Sequence, residues 1–259
     1  MKAKEARKGL DFMNSYTFFA AFYDMLMTED FNYDEIADFI ENIFGEYDID
    51  AKLVCELACG TGNITLPLSQ RGYDMIAIDK STDMLDIARE KAGAESGILF
   101  LNQDMTKIDL FGTVDAVVCL IDGINYILNP NSLFKMMKRI KTCFLEPNGI
   151  FLFDISSEYK LKNVIGSNTF INNGDDVFYT WENRYLEKKH LCDMYLNFFV
   201  KNKKGLYRRF AERHLQRAYG SEEIVKMLHA AGFEKVDMYD GMSFNAPNEK
   251  SDRVVFAAR

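Results

Sequence analysis

The chain has 259 residues, 48% of them hydrophobic, enough for one substantial core. Lys and Arg number 31 against 39 acids, and the net charge of −8 argues against the basic field of generic nucleic-acid or membrane-surface binders. No apolar run approaches the ~20 residues of a membrane span, no signal-peptide core follows residues 1–9, and five cysteines without a CxxC pair read as reduced thiols of a cytoplasmic protein.

Residues 15–45 are expected to be helical. Ile36, Phe39, Ile40 and Ile43 repeat at one-face spacing, and Gly45 sits where a C-cap would. Short apolar runs then alternate with amphipathic stretches. Strand patterns at 53–57, 75–78, 98–101, 116–121 and 150–153 are separated by helical patterns at 63–70, 82–92 and 132–144, and Pro147-Asn148-Gly149 marks a turn. Such alternation means βαβ units and a parallel sheet covered on both faces.

From about residue 168 to 215 the pattern changes to alternating aromatic and polar residues, Phe178, Trp181, Tyr185, Tyr195 and Phe210 among them, which reads as antiparallel strands. Ser221 is a plausible N-cap for a further helix closed by Gly232, and 236–239 and 254–257 look like two last strands. The expected fold class is α/β: a doubly wound seven-stranded sheet over 46–160 and 216–259, a helical cap at 1–45, and an inserted antiparallel β lid at 161–215.

The informative segment is Leu53-Val54-Cys55-Glu56-Leu57-Ala58-Cys59-Gly60-Thr61-Gly62-Asn63, an apolar strand that ends in a carboxylate and a small-residue loop. Glycine in such a loop tolerates positive φ and lets a ligand approach the backbone. A phosphate-binding loop needs a terminal Gly-Lys-Ser/Thr, and a dinucleotide loop needs G-x-G-x-x-G; neither is present. Glu56 would repel a pyrophosphate, whereas a ligand with sulfonium and ammonium groups would be welcome. Asp79 ends the second strand pattern, seventeen positions after Gly62, where a carboxylate can accept both ribose hydroxyls of an adenosine. Asp104 follows the third strand and is placed to accept from an adenine amino group.

The ordered set resembles motif I and the following motifs of class I S-adenosylmethionine-dependent methyltransferases, with Ala58 standing at the motif's first glycine. The resemblance runs well over residues 50–155 and implies a Rossmann-like fold with S-adenosyl-L-methionine as cofactor, S-adenosyl-L-homocysteine as product, and no metal. It implies cofactor contacts from Ala58, Gly60, Gly62 and Asn63 in the loop, from Glu56 to the methionine end, and from Asp79 with Lys80 to the ribose. Met84 would pack on adenine, Asp104 with Met105 would read its edge, and Leu120 would line the other side. Tyr16, Tyr23-Asp24 and Tyr33 resemble the N-terminal Tyr-rich helices of small-molecule N-methyltransferases acting on glycine, sarcosine and amino-deoxysugars, which implies Tyr16 and Tyr23 near the cofactor. Core aromatics are the alternative for these two.

The implied reaction is in-line methyl transfer to a nitrogen or oxygen of a small-molecule acceptor. An RNA methyltransferase and a catalytically silent cofactor-binding module are the alternatives. Tyr126, after the fourth strand, and His214, near the return from the lid, are the candidate catalytic residues. Together with Arg213, His214 is expected to help cover the acceptor; an ordinary strand residue is the alternative for His214. Between Arg184 and Arg217, ten Lys/Arg face three acids. That excess is either a solvated outer face or an attraction for an anionic acceptor. Nucleic acid and membrane partners are disfavoured, and a dimer is allowed.

Overall fold

The computed structural model describes Asp24 and residues 31–259, apart from 175, 176 and 203. In chain order the strands are β1 (Leu53–Leu57), β2 (Asp74–Asp79), β3 (Leu99–Asn102), β4 (Val114–Cys119), β5 (Leu145–Ser156), β6 (Thr169–Asn173), β7 (Val177–Leu186), β8 (Leu191–Lys201), β9 (Tyr207–Arg217), β10 (Val236–Asp240) and β11 (Arg253–Ala258). Seven of them form one sheet in the order β10-β11-β5-β4-β1-β2-β3. Strands β3, β2, β1, β4 and β5 run parallel, and β11 lies antiparallel to both β5 and β10. The expected Rossmann-like sheet is therefore present, with the chain reversing direction across the sheet between β1 and β4.

Period-two alternation sorts the strand residues onto two cores. Cys55, Leu57, Val117, Cys119, Phe151 and Phe153 meet α4 (Pro130–Arg139) and α5 (Ser221–Ala231) on one face. Val54, Ala116, Val118, Ile150 and Leu152 meet α1 (Tyr33–Glu46) and Leu68 of α2 (Thr65–Gln70) on the other. The helix α3 (Thr82–Ala92) packs Leu85 against Ala77 and Cys59, beside the loop that follows β1. Residues with no polar face available, such as Phe151 and Phe153, stack in the centre at 4.5 Å between ring centroids.

Several local expectations need correction. The helix through Ile36 and Ile43 runs on through Gly45 and ends on Tyr47, so Gly45 is not its C-cap. Gly220, not Ser221, occupies the N-cap of α5, and no side chain caps it. The helical pattern expected at 63–70 begins only at Thr65, because 60–64 turn as part of the loop. The Pro147-Asn148-Gly149 turn lies inside β5 as a register break between its pairing at Leu145 and at Ile150. A Cβ at Gly149 would stand 2.8 Å from the Asp115 carbonyl oxygen. Cys55, Cys59, Cys119 and Cys192 are buried free thiols, while Cys143 is exposed.

The insertion forms a separate antiparallel sheet in the order β6-β7-β8-β9. It is anchored by Leu161, Ile165, Cys192, Met194 and Ala218, which share a small apolar cluster. Register pairs Met194 with His214 and Tyr195 with Arg213. Among the described residues no helix is long and apolar enough to cross a membrane.

Candidate active site

The sheet order reverses between β4 and β1, and the carboxyl ends of these two strands border the crevice in which open α/β sheets bind ligands, with β2 and β3 beside β1. The loop after β1 is wound tightly. Ala58, Gly60 and Gly62 all have left-handed backbone, with φ of 53°, 54° and 78°. Ala58 holds this conformation despite its Cβ, at a cost of about 1 kcal/mol. Gly62 is confined further, since a Cβ there would lie 3.3 Å from the Ala88 side chain.

Asp79 clamps the loop from β2. One carboxylate oxygen accepts the Gly60 amide at 2.9 Å and the other accepts the Ser81 amide at 2.7 Å. Each oxygen keeps a further lone pair for an incoming donor. Burial raises the Asp79 pKa above the ordinary value against the effect of those amides. Glu56 is 3% exposed and takes the Thr65 hydroxyl. Desolvation pushes its pKa up to about 8, with the Thr65 bond opposing and the nearby Asp79 charge adding. Burial thus favours the protonated form of Glu56.

Among the other sequence-selected residues, Asp104 caps the turn Met105–Lys107 by accepting the Thr106 amide at 2.8 Å and its hydroxyl at 2.7 Å. Burial would raise the Asp104 pKa, but the Thr106 bonds and the Lys107 and Lys80 charges hold it low. Met84 is half-buried in the first turn of α3, and Lys80 is exposed beside Asp79. Leu120 is buried against the α1 side of the core. Asn63 does not stand free in the loop: it donates to Asp24 at 2.9 Å, and Lys91 donates to both Asp24 and Asn63. The Thr61 hydroxyl also reaches Asp24. Tyr16 and Tyr23 lie outside the described residues.

The segment after β4 brings the two candidate catalytic residues together. The hydroxyl of Tyr126, in the turn Gly123–Tyr126, lies 3.2 Å from Nδ1 of His214 on β9, and the two rings meet edge to face at 5.9 Å. Burial pushes the Tyr126 pKa up, with the Asp122 charge adding. Burial, with the Lys80 charge, lowers the His214 pKa below 6.5, so the imidazole is neutral at pH 7. Asn125 fixes this junction. Its amide nitrogen donates to the carbonyls of Ser156 at 3.0 Å and Arg217 at 2.9 Å, and its oxygen accepts the Ser156 amide at 2.8 Å. Arg213 does not join His214. Strand alternation puts it on the opposite face, where it forks onto Asp193 with two bonds of 2.8 Å.

Behind the turn lies a buried ionic group. Asp154 is fully buried and accepts the Ile121 amide at 3.1 Å and the Asp122 amide at 2.9 Å, while Arg253 bridges Asp154 and Asp122. Burial opposes ionisation of Asp122, but Arg253 and Lys160 outweigh it and hold its pKa low. Sequence reading passed over Asp122, Asn125 and Arg253. The Asp122-Gly123 turn pair and an arginine opening an apolar strand were the available signals.

A family model described as a methyltransferase domain matches residues 54–149, the span that carries the loop, Asp79, Asp104 and Tyr126. YqeM of Bacillus subtilis (strain 168), whose name gives a methyltransferase class and no acceptor, is 35% identical over 246 residues, 94% of this chain and 96% of that protein. The crystal structure of a S-adenosylmethionine-dependent methyltransferase from Clostridium acetobutylicum ATCC 824 superposes with a TM-score of 0.86 at 34% identity, covering 95% of this chain and 99% of that one. The chain belongs to the S-adenosylmethionine-dependent methyltransferases.

The methyltransferase also shares its fold with CalS10, an amino pentose methyltransferase from Micromonospora echinaspora, at a TM-score of 0.73 and 18% identity over 92% of this chain and 96% of that one. The inserted four-stranded sheet belongs to the methyltransferase as a unit distinct from its seven-stranded sheet.

Proposed function

We propose that the protein transfers the methyl group of S-adenosylmethionine to a nitrogen or oxygen of a small-molecule acceptor, without a metal. The donor chemistry suits the residues present: Glu56 and Asp79 put two carboxylates at the loop, acceptors for a cationic ligand and not for a pyrophosphate. Bound there, S-adenosylmethionine supplies a methyl group already activated by a sulfonium. Glu56 would meet the methionine end, Asp79 the ribose, and Asp104 with Met105 the adenine edge, while Met84 and Lys80 flank the adenosine.

The observation that carries the reading is the hydrogen bond between Tyr126 and His214, which joins the turn after β4 to the inserted sheet. A neutral imidazole on a tyrosine hydroxyl can take a proton from an acceptor held between the two sheets. The inserted sheet then acts as a lid, supplying alignment and exclusion of water, the effects that matter most when the electrophile is preformed. The amino pentose substrate class in CalS10's name supports a small acceptor bearing an amine.

The test is incubation of pure protein with 13C-methyl-labelled donor and either a fractionated metabolite extract or total RNA. Label in one metabolite fraction is the expected result. Label confined to RNA overturns the small-molecule reading, and donor binding without any transfer supports a silent cofactor-binding module.

A further inference from the structure

Two consecutive residues after β4, Ile121 and Asp122, have left-handed backbone at φ of 64° and 67°. This is costly for a β-branched isoleucine and persists only where surrounding groups hold it. Asp154 supplies that hold by accepting both amides, and Arg253 locks the Asp154 carboxylate from β11. The result is a fixed orientation for the Asp122 side chain.

Three observations locate that side chain. Gly123 packs against the cofactor loop, since a Cβ on it would stand 3.1 Å from the Cβ of Ala58. On the other side the Asp122 charge acts on Tyr126, the partner of His214. Asp122 thus opens the turn that packs on the donor loop through Gly123 and ends in Tyr126, the partner of His214. Its Oδ1 takes the Ser156 hydroxyl at 2.9 Å and Arg253 at 2.8 Å, whereas Oδ2 makes no hydrogen bond among the described residues. The side chain is 21% exposed, in contrast to the fully buried Asp154.

We propose that Asp122 selects a nitrogen acceptor, holding an N–H of the attacking amine at Oδ2 while Asp154 and Arg253 act as positioning residues. This rests on the reading of the site as a small-molecule methyltransferase. The acceptor ammonium gives one proton to the Tyr126–His214 pair. Its freed lone pair forms the N–C bond as the C–S bond breaks and leaves its electrons on sulfur. Positive charge passes from sulfur to nitrogen, and the remaining N–H donates to Asp122 throughout. A hydroxyl acceptor has one proton only. Once that proton is removed, the developing oxyanion faces a carboxylate and is repelled.

The test compares two ligands by calorimetry: S-adenosylhomocysteine, a neutral thioether, and sinefungin, in which an amine-bearing carbon replaces the methylated sulfonium. Asparagine tolerates left-handed backbone, so Asp122→Asn preserves the turn. The variant is expected to bind S-adenosylhomocysteine within twofold of the wild type, which also reports an intact fold, and to bind sinefungin at least tenfold more weakly. The 13C label transferred in the metabolite fraction is expected on nitrogen. Equal sinefungin affinity in the two proteins, a parallel loss for both ligands, or an O-methyl product overturns the role of Asp122. Failure of the wild type to bind either ligand instead overturns the methyltransferase site itself.

Discussion

Tyr126 and His214 are 88 positions apart, yet their side chains meet at 3.2 Å between oxygen and Nδ1. The contact couples the main sheet to the insertion, and in the proposed reaction it takes the acceptor's proton. Tyr126→Phe and His214→Asn are each expected to slow methyl transfer about 100-fold, the lower end for general-base removal, with donor affinity unchanged. Burial and Lys80 lower the His214 pKa, so the rate should fall with acid only below pH 6.5. Initial rates between pH 5 and 8 check this, and the break set by His214 should be absent in His214→Asn.

Asp79 serves the loop and the expected ribose at once. Asp79→Ala removes the acceptor of the Gly60 and Ser81 amides together with any bonds to ribose hydroxyls. Charge-assisted bonds of this kind contribute roughly 1.5–3 kcal/mol each. Affinity for S-adenosylmethionine is expected to drop at least tenfold by calorimetry, with the thermal transition still cooperative.

Glu56 is expected to make donor binding pH-dependent. Its folded pKa is raised by burial to about 8, above the ordinary 4.5, so the folded protein holds a proton that the unfolded chain releases. Stability of the free protein therefore falls as pH rises from about 4.5 to 8. A cationic donor favours the ionised carboxylate, so binding should release a proton and tighten as pH rises across the same window. Calorimetry in buffers of different ionisation enthalpy measures that proton, and Glu56→Gln should abolish both effects.

Arg253 is 8% exposed and is the cation shared by Asp122 and Asp154. Arg253→Ala leaves the fully buried Asp154 and the partly exposed Asp122 without their shared cation, and loss of one partner from a buried ion group costs about 3–5 kcal/mol. Urea denaturation at pH 7 is expected to show a loss of that size. A smaller loss at pH 4.5 should follow, because burial raises the Asp154 pKa and protonation relieves the repulsion.

The basic excess of the insertion is testable separately. Arg208 and Arg209 are exposed, with Arg208 over the Phe210 ring and Arg209 on Asn197. At about 3.4 Å per residue they stand roughly 17–20 Å along β9 from His214. Charge reversal at both is expected to leave the acceptor KM and its salt dependence unchanged, as for a solvated face.

Local chemistry was sufficient for part of this molecule. Glu56 and Asp79 lie at the ends of apolar runs of strand length and Asp104 follows a third, partly exposed one at the sheet edge, and three such ends in order place them on one side of the sheet. The Ala58-to-Gly62 spacing likewise announces a backbone that must turn left-handed, which short-range sterics decide. Helix ends were less legible at Gly45 and Ser221, because a cap depends on the turn geometry of the neighbouring chain. Tertiary structure alone decided the rest. Whether His214 or Arg213 faces the site is a matter of strand register, since a one-residue slip exchanges their faces. Arg253 meets Asp154 only because β11 inserts antiparallel beside β5, a pairing fixed by the packing of Phe153 on Phe256 at 5.1 Å and invisible to local pattern.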